Sequence, residues 1–510
     1  MNHNWCRSQL LFVAGSVVSV LTGASSAEEL YRVTDLGTLG GQYSSARALN
    51  ASGQVTGFSL TGDERDGFVP FLWSGGTMRR LGTEADTFDF GFGSGVAINN
   101  AGQVAGNFED ETGDESFAFR SVGTTIQDLG TLGGFRVAAQ AINASGQVAG
   151  FSTKANFQRR AFFWNGSTMK DLGTLGGTES AATDINNAGQ VTGFATTAGS
   201  LTHAFLWNGT TLKDLGTLGG TYSSGSAINS SGHVVGKSLL ASSPFEHAFL
   251  WNGAKMIDLG TLGGDTSFAV AINTAGQVTG SAAVASQRMH AFLLDGGTML
   301  DLGVLSGTDS NAFAINDLGQ VTGTYVPAGD GQFHAFIWNG TAMRDLNARV
   351  DPSDPLKPFV KLHSGLDINK RGQIAASGRD SRKPDDHGYL VTPLEFRITF
   401  IEPTTKSNGR LGEVLPVKIS LTKESGERIS DARAASLAAT PCKVKFSASG
   451  AQSRTAVCMK YDAIANVFYF NWALGTSGTG STDLKVAATY KFSMPEIITT
   501  TKSRTVSIIQ

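Results

Sequence analysis

Apolar residues in this chain come in short runs cut by Gly, Asn, Asp and Thr, a rhythm of strands and tight turns and not of helices. Between residues 182 and 215 the pattern predicts four strands, Ala182–Asn186, Gln190–Phe194, His203–Trp207 and Thr211–Leu215. Asn186-x-x-Gly189 suits a hairpin turn between the first two, and Asn208-Gly209 is the pair favoured by a two-residue type I′ turn between the last two.

The same pattern recurs along most of the chain. Asp-Leu-Gly-Thr-Leu-Gly-Gly stands intact from Asp35, Asp128, Asp171, Asp214 and Asp258, with weaker copies from Arg80, Asp301 and Asp345. From Asp128 onward the intervals are 43, 43, 44, 43 and 44 residues. A second motif, Ile-Asn-x-x-Gly-Gln-Val-x-Gly, places its Asn at 50, 99, 143, 186, 229, 273, 316 and 369. A third, His-Ala-Phe-Leu-Trp-Asn-Gly, starts at His203 and His247, with relatives near Phe71, Phe117, Ala161, His290, His334 and His387. Four strands in about 43 residues is the size of one propeller blade. The eight units predict an all-β, eight-bladed β-propeller, with a solenoid as the competing architecture. Tyr31–Leu36 is a fourth strand with no unit of its own, and the last repeat ends at Val391 without one, so the N-terminal strand is expected to close the eighth blade and hide its edge. Asp-Leu-Gly-Thr-Leu-Gly-Gly then becomes the crossing between blades, its leucines wedged between them.

Beyond Pro393 the repeat stops. Glu413–Thr422 alternates like a strand, and Val467–Trp472, Leu484–Tyr490 and Thr505–Ile509 add the strand density of a small β-sandwich. Residues 1–27 read as a signal peptide, with Arg7 ahead of the apolar run Leu10–Leu21 and Ser25-Ser26-Ala27 as cleavage site. The expected domains are therefore 1–27, 28–393 and 394–510. The exported chain would be extracellular or periplasmic, without membrane insertion after cleavage.

A net charge of −3 gives no reason to expect nucleic acid as a partner. The charge is uneven: Glu395–Gln510 holds 15 Lys and Arg against 9 Asp and Glu, and the remainder 25 against 34. Signal cleavage leaves two cysteines, and export argues for a disulfide Cys442–Cys458. If Cys442–Phe446 pairs with Thr455–Cys458 about a tip at Gly450, the two cysteines face each other within bridging range.

The His-Ala-Phe segments at His203, His247, His290 and His334 resemble the bacterial extracellular HAF-repeat family over about Tyr31–Val391. The resemblance implies export and a repeat fold, and no reaction. Pro416-Val417-Lys418 and Tyr461-Asp462 with Tyr469-Phe470-Asn471-Trp472 resemble immunoglobulin-like modules of bacterial surface proteins, which implies a spacer or adhesion unit.

Candidate chemistry is sparse. The repeated histidines recur one per blade, on the order of 10 Å apart at about 4.8 Å per strand step, too far for one zinc ion. They are expected to tie blades together by hydrogen bonds, and no metal or cofactor is expected. Gly232–Ser238 has one residue too few for a phosphate loop. The Asn-Gly-Ser/Thr triplets at Asn165, Asn208 and Asn339 are turns, and Asp110–Glu115 lacks the spacing of a calcium loop. Asp184 and Asp367 stand before Ile-Asn where most units have Ala, on opposite inner strands, and are the weak catalytic candidates of an alternative reading, a carbohydrate-active enzyme with carboxylates near the axis. The units differ most in the loop between second and third strands. Its residues Asp63, Arg65, Asp66, Phe157, Arg159, Arg160, Phe245 and Tyr325 are the binding candidates, on the face shared with the crossings. The expected function is a secreted, non-catalytic binding or scaffold protein for an extracellular glycan or protein.

Overall fold

The computed structural model describes residues 30–394 other than 64–66, 84–90 and 111–113, and the backbone of the strands within 395–510. The signal-peptide expectation lies outside the described residues. Glu29–Leu394 forms one compact unit, and Glu395–Gln510 belongs to a second. Among the described residues the single-turn Leu346–Arg349 is the one helix, and the rest of the regular structure is strand. No helix among them is long and apolar enough to cross a membrane.

Residues 40–80, 92–128, 133–171, 176–214, 219–258, 263–303 and 309–345 each form a blade-like antiparallel sheet of four strands, numbered here 1 to 7. Sheet 8 takes three strands from 360–393 and its fourth from Tyr31–Asp35. Sheets 1 and 2, and sheets 4 and 5, touch through single parallel bridges, Phe68 to Phe92 and Thr202 to Tyr222.

In sheet 4 the strands are Gly176–Ile185, Val191–Thr197, Thr202–Trp207 and Leu212–Asp214. The first begins earlier than its apolar pattern suggests, because Gly176 of the crossing already pairs with Thr197. Its register slips between Ala182 and Asp184, a bulge that pushes the Ala181 carbonyl toward the second strand. A Cβ at Gly193 would lie 2.0 Å from that oxygen, so the final Gly of Gln-Val-x-Gly is a steric requirement. The predicted Asn-Gly turn is corrected: Asn208 keeps a negative φ, which excludes type I′. Its Oδ1 instead accepts the amides of Thr210 and Thr211, at 3.0 and 2.9 Å. The φ values that a type I′ turn needs occur at Gly75-Gly76 and Gly296-Gly297.

The repeated polar residues hold sheet to sheet. Asn186 Oδ1 accepts the Ala188 and Gln190 amides of its own turn, while Nδ2 donates to Gln190 Oε1 and to the Asn229 carbonyl of the next sheet. The inter-sheet bond recurs from Asn50 to Asn99, then to Asn143, Asn186, Asn229, Asn273, Asn316 and Asn369, and from Asn369 back to Asn50. At the other end of the sheets Ser223 Oγ accepts the Ala204 amide of sheet 4 and donates to the Gly216 carbonyl of the crossing. Ser44 does the same to Gly388 and Gly37, so the contact that joins sheet 4 to sheet 5 also joins sheet 8 to sheet 1.

The histidines act within a sheet, not between sheets as expected. His203, His247 and His290 bond Asp214, Asp258 and Asp301 on the neighbouring fourth strand, each at 2.9 Å. The geometry follows from antiparallel pairing, which sets the two motifs side by side. His387 meets Asp35 in the same way at 2.9 Å across the N-terminal strand.

Tyr31–Asp35 has an outer edge, and the connection between sheets 7 and 8 covers it. The Val33 amide donates to Asp354 Oδ2 at 2.8 Å, and the Asp351 amide to the Tyr31 carbonyl at 2.8 Å. Tyr31, Val33, Leu346 and Val350 share one buried cluster beneath this latch.

In the second unit the strands pair into two sheets, one ordered Phe396–Glu402, Val414–Lys423, Val467–Ala473, Lys460–Asp462. The other runs Asn408–Gly409, Lys502–Ile508, Val486–Ser493, Lys445–Gly450, Arg454–Cys458. Cys458 pairs with Lys445, not with Cys442: the hairpin register lies three residues from the one expected, and the shift between Phe446 and Ala448 accounts for one of the three. This corrects the opposition on which the Cys442–Cys458 bridge was expected, and Cys442 lies outside the described residues.

Candidate functional site

Asp184 and Asp367 are built into the joints between sheets. Asp184 Oδ1 accepts the Ile185 amide and Oδ2 the Ile228 amide of sheet 5, each at 2.8 Å. Asp367 accepts Ile368 at 2.8 Å and Leu49 of sheet 1 at 2.9 Å. Burial raises both carboxyls to about 6 despite these bonds, which lower them. Each carboxylate thus braces its own strand and the neighbouring sheet through backbone amides.

The variable loops give a different picture. The second-to-third-strand loops lie beside the crossings, as the bridges Leu132 to Lys154 and Leu175 to Thr197 record. Arg65 and Asp66 lie outside the described residues, and Asp63 sits at the loop start, where its amide donates to Thr61 Oγ1 at 3.2 Å. Arg159 and Arg160 belong to the strand Arg159–Trp164 and not to a loop. Tyr325 is 4% exposed inside the strand Val321–Val326, with its ring edge-on to His334, which corrects its reading as a surface loop residue. Burial pushes its hydroxyl up from the ordinary value, with Asp345 nearby adding to the rise. Phe157 and Phe245 remain as loop residues, exposed at 76% and 42%.

Phe157 holds the left-handed conformation, with φ 65°, at the end of its turn. Ser200 and Gln287 hold it at the matching places in sheets 4 and 6. A large side chain there is uncommon. Four further exposed rings join Phe157 and Phe245 here. Phe92, Phe135, Phe157, Phe245, Phe333 and Phe359 are exposed on this face, and among the described residues only Phe313 is an exposed Phe elsewhere. Phe135 was detectable in sequence: it follows Gly133-Gly134 where the other intact copies carry Gln, Thr or Asp.

Between sheets 2, 3 and 4 this face opens into a groove of about 600 Å³. Phe135, Phe151 and Phe157 supply its apolar surface, with Arg136, Arg159 and the carboxylates of Glu109, Asp114, Glu115 and Glu179 around them. Arg159 is held between the rings of Phe151 and Phe194, 5.5 and 5.0 Å from their centroids, and pairs with Glu179 at 3.3 Å. The groove can take an apolar group against its rings while polar groups meet the rim. Among the described residues no cluster of His, Cys, Asp and Glu is placed to hold a metal ion.

No family model matches the chain, and no curated protein does. Several solved structures are similar to it. The β-propeller domain of the Trilobed protease from Pyrococcus furiosus is 10% identical, covering 57% of this chain and 89% of that one, at a TM-score of 0.37. YCF48 from Cyanidioschyzon merolae is 9% identical over 70% and 98% of the two chains, at 0.34. The Aleuria aurantia lectin is 13% identical over 56% and 87%, at 0.26.

Proposed function

We propose that the first unit is an exported, eight-bladed β-propeller of the HAF-repeat kind, closed by Tyr31–Asp35, that works as a non-catalytic binding or scaffold protein. Its ligand meets the face carrying the second-to-third-strand loops, and the second unit is an immunoglobulin-like spacer. Ring closure is supported by the Asn series that returns from Asn369 to Asn50, and by the His387–Asp35 and Ser44–Gly388 contacts that repeat the internal ones. The placement of the ligand rests on one observation, the gathering of six exposed phenylalanines on that face. Of the six, Phe135 and Phe157 line one groove and so form a contiguous apolar surface. The test is a glycan array and a panel of purified extracellular proteins probed with the full chain, then repeated after Gly-Ser turns replace 155–158 and 241–245. Loss of binding with an unchanged unfolding midpoint supports the placement, and unchanged binding sinks it.

A further inference from the structure

We infer that the groove between sheets 2, 3 and 4 takes a cationic polypeptide segment, seating an aromatic or aliphatic side chain between Phe135 and Phe157 and a neighbouring Lys or Arg against Glu109 and Glu115. The inference rests on the loop-face reading and names its occupant. Phe135 and Phe157 are 61% and 76% exposed in one groove, so a buried apolar group would remove their area from water at about 25 cal/mol per Å². Phe157 stays in its left-handed turn although glycine would fit φ 65° without strain, and the groove is what its ring faces.

Charge selects among occupants. The groove carries Glu109, Asp114, Glu115 and Glu179 against Arg136 and Arg159. The Arg159–Glu179 pair is already made, which leaves Glu109 and Glu115 against Arg136. Among the described residues no ion pair engages Glu109 or Glu115, and both are exposed. An anionic polysaccharide or acidic peptide is repelled there, a neutral glycan gains nothing from the excess charge, and a basic segment gains from it within a Debye length of about 8 Å.

The experiment uses the full chain and fluorescein-labelled twelve-residue peptides, about that length being enough to span the groove. One alternates Lys and Phe, one alternates Lys and Ser, and one alternates Glu and Phe. Neutral oligosaccharides are tested by calorimetry beside them. The Lys-Phe peptide should bind at least tenfold tighter than the other two, and weaken as NaCl rises from 50 to 500 mM. Glu109→Gln with Glu115→Gln should cost about tenfold in affinity, and so should Phe157→Gly, whose thermal midpoint should hold or rise because glycine suits the turn. Equal binding of Lys-Phe and Lys-Ser peptides, or binding indifferent to both variants, overturns the groove as the site. Preference for the Glu-Phe peptide or for an oligosaccharide, lost in Phe157→Gly, overturns the occupant while leaving the loop-face reading standing.

Discussion

Asn186 satisfies four polar groups at once: two amides of its own turn, the Gln190 side chain, and a carbonyl of the next sheet. Removing it strands buried partners, so Asn186→Ala should cost about 2–4 kcal/mol of unfolding free energy in urea. A loss below about 1 kcal/mol would show that the joint bears little of the stability. Sheet 5 offers the converse. His233 stands where seven units have Gln, and the Asn229 to Asn273 bond is the longest of the series at 3.3 Å. His233→Gln should restore the missing acceptor for Asn229 Nδ2 and add about 0.5–1.5 kcal/mol, readable in the same titration. Asp184 and Asp367 bring a pH dependence. Their carboxyls rise from the ordinary 3.8 to about 6 on folding, so the folded state holds protons that the unfolded chain releases. That contribution is complete below about pH 4 and lost as pH climbs through 6. Relative to Asp184→Ala/Asp367→Ala, which copies the Ala of the other six units, the wild type should lose stability between pH 4 and 7. Parallel profiles for the two proteins would refute it.

At the scale of elements, strands and their turns were legible because Gly, Asn and alternating apolar residues encode them locally, as Asn186-x-x-Gly189 does. What pairs across sheets was less legible. Nothing in Ile-Asn-x-x-Gly-Gln announces that the Asn amide reaches the next unit, since the partner is a backbone carbonyl that any sequence supplies. The His203–Asp214 pair follows only once the register of the predicted strands His203–Trp207 and Thr211–Leu215 is known, and the motifs alone do not give that register. Tyr325 looked like a loop residue because Val326-Pro327 follows it, yet its strand runs to Val326. Phe135 stands at the start of the strand Gly133–Ile142 and not in a loop, so variation between the loops does not reveal it. The latch over Tyr31–Asp35 has no periodicity to betray it, being ten residues more than the usual spacing between Asn316 and Asn369. It is nonetheless specific: Asp354 Oδ2 accepts from Val33 and Oδ1 from Leu356 at 2.9 Å. Asp354→Ala should leave the Val33 amide without its partner and loosen the N-terminal strand by about 1–3 kcal/mol. Hydrogen exchange at Val33 should then accelerate by tenfold or more while the strand amides of sheets 3 to 5 keep their rates, and unchanged exchange at Val33 would remove the latch from the account.

For the molecule as a whole, the two ends of the repeat region meet in sheet 8. Tyr31–Asp35 pairs with 389–393, the His387–Asp35 contact closes that pairing, and Ser44 of sheet 1 reaches both Gly388 and Gly37. Asp35 is held at about 2: burial alone would raise its carboxyl, but bonds from His387, Lys383 and the Gly37 amide outweigh it. Excising residues 28–37 therefore removes more than a peripheral strand. It uncovers the edge of Asp386–Pro393, empties the space that Tyr31 and Val33 fill in their cluster, and takes the Gly37 carbonyl from Ser44 and the Asp35 carboxylate from His387. A fully buried Tyr, a buried Val and a row of strand hydrogen bonds lie well beyond what a marginally stable fold tolerates losing. An uncovered, largely apolar edge such as Tyr389-Leu390-Val391 pairs readily with another chain. The truncated protein should thus sediment as aggregates, and a synthetic peptide of residues 28–37 added during refolding should restore monomer. A truncation that stays monomeric with an unaltered unfolding midpoint would mean that the N-terminal strand does not hold the ends together.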